Sequence, residues 1–136
     1  MNSRQALPTS VSADYWEALD EGRLVFQSCG CGHNWLPPRP ECPKCLGDSW
    51  VWRDASGRGR LVSWVVYRFA YDEAFKSRLP YNVAIVELEE GVRMISNIIG
   101  APDGAGLVVD MPLQLSISRD GKTALATFAR DDNQTG

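Results

Sequence analysis

Histidine is nearly absent: His33 is the one imidazole in 136 residues. The chain also has no Gly-x-Ser-x-Gly elbow. Its glycine-richest run, Ser56-Gly57-Arg58-Gly59-Arg60, is too short for a phosphate-cradling loop and lacks the Lys-Ser or Lys-Thr end. Nucleophilic catalysis needs an activated side chain with a base in reach, so chemistry by the isolated chain is not expected. Positive charge is not in excess: the net charge is −3 and the pI about 5.1, which argues against phosphate backbones and acidic membranes as partners. No apolar run approaches the roughly 20 residues that span a bilayer, so no membrane role is expected, and no internal repeat or low-complexity tract is present. The stretch Met1-Asn2-Ser3-Arg4-Gln5-Ala6-Leu7-Pro8 has no apolar signal core, and a reducing cytoplasm is the expected location.

Cysteine is confined to seventeen residues, where Cys29, Cys31, Cys42 and Cys45 form two tight pairs around a Pro- and Arg-rich segment. In a reducing compartment such a cluster reads as metal ligands rather than disulfides. Four thiolates close a tetrahedral shell around zinc and leave no open position for substrate. The expectation is a structural Zn²⁺. Cys42-Pro43-Lys44-Cys45-Leu46-Gly47 fits a rubredoxin-type knuckle, whereas Cys29-x-Cys31 is one residue tighter. His33 is an alternative ligand in place of Cys29 or Cys31; otherwise it is an exposed loop residue. A ribbon of this size has little core of its own, so metal binding would supply much of its folding free energy.

Around the cysteines the pattern predicts a mainly β chain. Residues 12–22 read as a short helix with Ser12 as N-cap and Gly22 as stop. Its Tyr15, Trp16 and Leu19 form an apolar face that packs either on this chain or on another subunit. Strands are expected at Leu61 to Phe69, Tyr81 to Leu88, Val92 to Ile99, Leu113 to Ser118 and Leu125 to Ala129. Glu89-Glu90-Gly91 and Asp120-Gly121 supply the turns, and the paired carboxylates Glu89 and Glu90 are expected to be solvated there. Five strands in about 70 residues suit a small barrel of OB type. The expected organisation is a tail and helix at 1–23, a zinc ribbon at 24–55, an OB-fold barrel at 56–130 and a tail at 131–136.

These motifs resemble a known family. Tyr15-Trp16 on a leading helix is followed by Cys31-Gly32-His33, Pro37-Pro38-Arg39-Pro40-x-Cys42-Pro43-x-Cys45, Ser56-Gly57-Arg58-Gly59 and Pro80-Tyr81-x-Val83-Ala84-Ile85-Val86-Glu87-Leu88. In this order they look like the family that joins a rubredoxin-like zinc ribbon to an OB-fold, long catalogued as a domain of unknown function, and the likeness runs from about residue 12 to 130. The resemblance implies a small partner of thiolase-fold proteins (thiolases, lipid-transfer-protein-like aldolases or acyltransferases). In such complexes the partner supplies catalysis and the small subunit helps hold acyl-CoA.

Within this chain, Arg58, Arg60 and Arg68, with Arg53, are candidates for the phosphates of CoA, because guanidinium groups pair bidentately with phosphate. Pairing with Asp54, Asp72 or other surface acids is their alternative role. Tyr71 and Phe75, with Trp64, Tyr67 and Phe69, are candidates for an apolar channel, although Trp64 and Phe69 suit core packing better. Trp35 and Pro37-Pro38 read as an exposed interface anchor at the ribbon tip. A competing function is a single-stranded nucleic-acid-binding OB module, which an acidic pI disfavours.

Overall fold

The computed structural model describes residues 10–68 and 80–131. Helix α1 (Ser10–Asp20) is followed by β1 (Val25–Cys29), β2 (Asn34–Trp35), β3 (Trp50–Asp54), β4 (Arg58–Tyr67), β5 (Tyr81–Leu88), β6 (Arg93–Ser96), β7 (Pro112–Asp120) and β8 (Thr123–Arg130). The helix starts two residues before the expected cap, so Ser12 lies inside its first turn. It stops where expected, because Gly22 takes a positive φ of 88° that an L side chain resists.

Two antiparallel sheets follow. The ribbon sheet has the order β2-β1-β3, and the larger sheet β6-β5-β4-β7-β8. On β5, Asn82, Ala84, Val86 and Leu88 turn inward while Tyr81, Val83, Ile85 and Glu87 alternate outward. The five strands curl until the segment after β6 meets β8. Ile98 bridges Phe128, with Ile99 N–H donating to Phe128 O at 2.8 Å and Phe128 N–H to Asn97 O at 3.0 Å. The result is an OB-type half-barrel whose two edges touch at this place. The expected strand Val92 to Ile99 is therefore split: only Arg93–Ser96 pair with β5.

One core serves both sheets. Leu24 and Phe26 of the ribbon side join Leu61, Ala84, Val86, Val92, Leu113 and Phe128 of the barrel. The helix closes this core with Leu19 fully buried and Tyr15 and Trp16 packed beside it. Its apolar face is thus taken up by its own chain. Burial pushes the Tyr15 phenol up to about 12. A second, smaller cluster of Cys29, Trp35 and Cys42, with Trp50 against it, lies under the cysteine site.

Candidate metal centre and its surroundings

The second knuckle folds as its sequence predicts. Cys42 N–H donates to Gly47 O and Leu46 N–H to Cys42 O, each at 2.8 Å. The turn closes through Leu46 at a φ of 64°. It aims the amides of Lys44 and Cys45 at Cys42 Sγ, at 3.4 and 3.5 Å, and that of Gly47 at Cys45 Sγ, at 3.4 Å. The shorter first knuckle is closed by Cys29 N–H to His33 O and Gly32 N–H to Cys29 O, both 2.9 Å.

Missing one residue, that first knuckle still delivers both thiols. Cys29 Sγ lies 3.5 Å from Cys45 Sγ, and Cys31 Sγ 3.7 Å from Cys42 Sγ. All four sulfurs are within 4.8 Å of one another. Zinc–sulfur bonds of about 2.3 Å in a tetrahedron require sulfurs roughly 3.8 Å apart, so this donor set is gathered close to the spacing that one zinc ion needs. His33 stands outside the cluster, its ring stacked on Trp35 at a centroid distance of 5.8 Å.

Electrostatics within the cluster point the same way. Burial pushes the Cys42 thiol up, but the amides of Cys45 and Lys44 and the sulfurs of Cys31 and Cys45 outweigh it and bring its pKa down to about 7. At Cys45 the Gly47 amide acts to lower the pKa, yet the neighbouring sulfurs of Cys29 and Cys42 raise it to about 11. One thiolate forms readily and opposes the next. A bound cation removes that conflict, and four thiolates then close its shell.

The remaining candidates divide. Arg58 is exposed and its guanidinium has no partner among the described residues. Arg60 is committed: it gives Nη2 to Glu87 at 2.8 Å and Nε to the same oxygen at 3.1 Å, and it also bonds Asp110. Arg68 is exposed just beyond β4. Tyr71 and Phe75 lie outside the described residues, as do Phe69 and Asp72. Trp64 packs against the barrel core, and Tyr67 is exposed.

Two expectations are overturned. Trp35 is not an exposed anchor: it is 4% exposed, because β2 pairs with β1 and turns the indole under the cysteines. Glu89 and Glu90 are not merely solvated. Glu90 Oε2 accepts from Ser56 N–H at 2.7 Å, and Glu89 Oε2 from Ser56 Oγ at 3.0 Å, so this turn clamps the ribbon–barrel linker.

Sequence reasoning missed the buried Gln27, whose amide takes the N–H of Arg39 at 2.7 Å and gives to its carbonyl at 2.6 Å, fixing the Pro-rich loop. It also missed Asn82, which donates to Ile98 O and Ala101 O and accepts from Ile98 N–H. Their only signal was a polar residue at an inward position of a strand.

Residues 16–51 match the family described as "ChsH2, rubredoxin-like zinc ribbon domain", and residues 52–118 the one described as "ChsH2, C-terminal OB-fold domain". A "DUF35 domain-containing scaffold protein" of Methanocaldococcus jannaschii is 31% identical over 77% of this chain and 77% of its own length. The chain belongs to the ChsH2 (DUF35) family.

Zinc ribbon and OB-fold are accordingly the two parts of this ChsH2-type chain, and the ribbon's four-cysteine cluster suits a structural zinc. A solved chain of "Ltp2-ChsH2(DUF35) aldolase" superposes with a TM-score of 0.77 at 35% identity, covering 90% of this chain and 95% of that one. A "Probable enoyl-CoA hydratase alpha subunit" of Thermomonospora curvata is 37% identical over 86% of this chain. This chain spans only 36% of that protein's length. A DUF35-family structure from Sulfolobus solfataricus shares the fold, with a TM-score of 0.69 at 14% identity.

Proposed function

We propose that this chain is a non-catalytic subunit of a thiolase-fold enzyme, and that it helps bind acyl-CoA and complete the partner's active-site channel. The observation that carries this reading is the likeness to the Ltp2-ChsH2(DUF35) aldolase chain over 95% of that chain's length. The Thermomonospora curvata relative, named as a hydratase alpha subunit, supports a role inside an assembly. In this reading Cys29, Cys31, Cys42 and Cys45 hold the zinc, which fixes the ribbon and takes no part in turnover.

The outer face of the barrel supports docking. Val65, Tyr67, Tyr81, Val83, Ile85 and Ile95 adjoin one another across β4, β5 and β6. Ile95 is 73% exposed, and the Tyr67 and Tyr81 rings stack at 5.0 Å. Contiguous apolar surface of this kind marks a protein contact, here with the thiolase-fold subunit. Arg58 is free to meet a CoA phosphate at a cleft of about 380 Å³ over the paired ends of β4 and β5, whereas Arg68 lies past the opposite end of β4, away from that cleft. Arg60 meets one only by giving up Glu87 or Asp110.

Affinity capture of this chain from its native host tests the proposal. The expected companion is a thiolase-fold protein in fixed ratio that retains acyl-CoA. Recovery of the chain alone would overturn the reading, and so would oligonucleotide binding that weakens steeply with salt.

A further inference from the structure

Between ribbon and barrel lies a cleft of about 330 Å³ that neither the zinc site nor the acyl-CoA candidates use. His33, Asn34, Trp35 and Arg39 line it from the ribbon, and Arg93 at the start of β6 lines it from the barrel. No carboxylate is among its lining residues.

The donors there are held in place and short of acceptors. Gln27 grips Arg39 by both its backbone N–H and its carbonyl, at 2.7 and 2.6 Å, so the residue is anchored while its guanidinium has no partner among the described residues. Arg93 gives Nε to Glu87 Oε1 at 2.9 Å, leaving its two terminal nitrogens for another acceptor. Asn34 Nδ2 has only a long contact, 3.4 Å, to Glu90 O. Trp35 also lines the cleft and is 4% exposed, so its indole reports on what occupies the space beside it.

We infer that this cleft binds a phosphate group, as a phosphomonoester or diphosphate. Two guanidinium groups from opposite walls, with the Asn34 amide beside them, match an anion that presents three or more oxygens in different directions. A carboxylate presents two oxygens in one plane and reaches one wall. The volume admits a phosphate together with the group that carries it. The inference goes beyond the subunit role, because it concerns this chain alone and holds whichever partner is captured.

Titration of the zinc-loaded full chain with inorganic pyrophosphate and with adenosine 3′,5′-bisphosphate, followed calorimetrically and by the tryptophan indole N–H signals, tests it. Both probes are expected to bind saturably and to move the Trp35 signal, which Trp35→Phe identifies. Arg39→Ala and Arg93→Ala should each weaken binding about tenfold, the scale of a lost charge-assisted hydrogen bond, while Lys122→Ala in the β7–β8 turn leaves it unchanged. Tighter binding of the bisphosphate assigns the site to a nucleotide-borne phosphate, and equal binding to free phosphate. The inference is overturned by no saturable binding of either probe, by full affinity in both arginine variants, or by an equal loss in Lys122→Ala.

Discussion

Glu87 shows how much one outward-facing carboxylate can organise. Its two oxygens take hydrogen bonds from Arg93 at 2.9 Å and from Arg60 at 2.8 Å, and these guanidinium groups hold its carboxyl below the usual carboxylate range. A carboxyl whose pKa is depressed on folding stabilises the protein above its unfolded pKa, and that stability is lost as pH falls through the lower, folded value. Glu87→Gln is therefore expected to lower the thermal midpoint at pH 7 and to leave it unchanged in strong acid. A deficit of equal size at both ends of a pH series would contradict the pairing. The cysteines make a sharper case: Cys42→Ser should abolish stoichiometric zinc and unfold the ribbon. Elemental analysis finding full zinc in that variant would remove Cys42 from the site. Arg58→Ala should weaken acyl-CoA binding by the assembly without altering the fold, read as a raised KM with an unchanged circular-dichroism spectrum.

At the scale of elements, β4 and β5 approach so closely that a glycine is required. A Cβ built at Gly59 would lie 2.8 Å from Glu87 O and 3.0 Å from Val86 Cγ1, backbone and core that cannot both withdraw. Gly59→Ala should cost about 1–3 kcal/mol, the range of overpacking, seen as a lower urea midpoint. Asn82 ties β5 to the 98–101 segment through three hydrogen bonds. Asn82→Leu should cost about 2–4 kcal/mol through the backbone groups it orphans, and unchanged stability would refute that role.

Strands β5, β7 and β8 were legible because alternation and a Gly turn at one end of each leave little freedom: Gly91 and Gly121 take φ of 87° and 65°. The second knuckle was legible from its six residues. The ribbon strands were not, since five residues of β1 and two of β2 carry too short a pattern, and β1 is buried nearly throughout. Nor was the fate of Trp35, which looks like a loop aromatic until β2 pairs with β1. The arginines illustrate the same limit: sequence places Arg58 and Arg60 side by side, but only pairing across β4, β5 and the turn at Asp110 decides that one is engaged and the other free.

Taken whole, the molecule joins a metal-dependent ribbon to a barrel over one core, to which Leu24, Phe26 and the helix contribute from the ribbon side. Removing zinc should therefore unfold the ribbon and also weaken the barrel. Chelation is expected to lower the thermal midpoint of the whole chain, and it should abolish capture of the partner. A chelated chain that still captures its companion would separate zinc from docking. The central claim concerns what the assembled particle does. The most direct measurement is acyl-CoA turnover by the captured assembly, by the companion stripped of this chain, and by the companion after zinc-loaded chain is restored. The account predicts that stripping raises KM for acyl-CoA or abolishes turnover and that restoration recovers it. Unchanged kinetics in the stripped companion would contradict it.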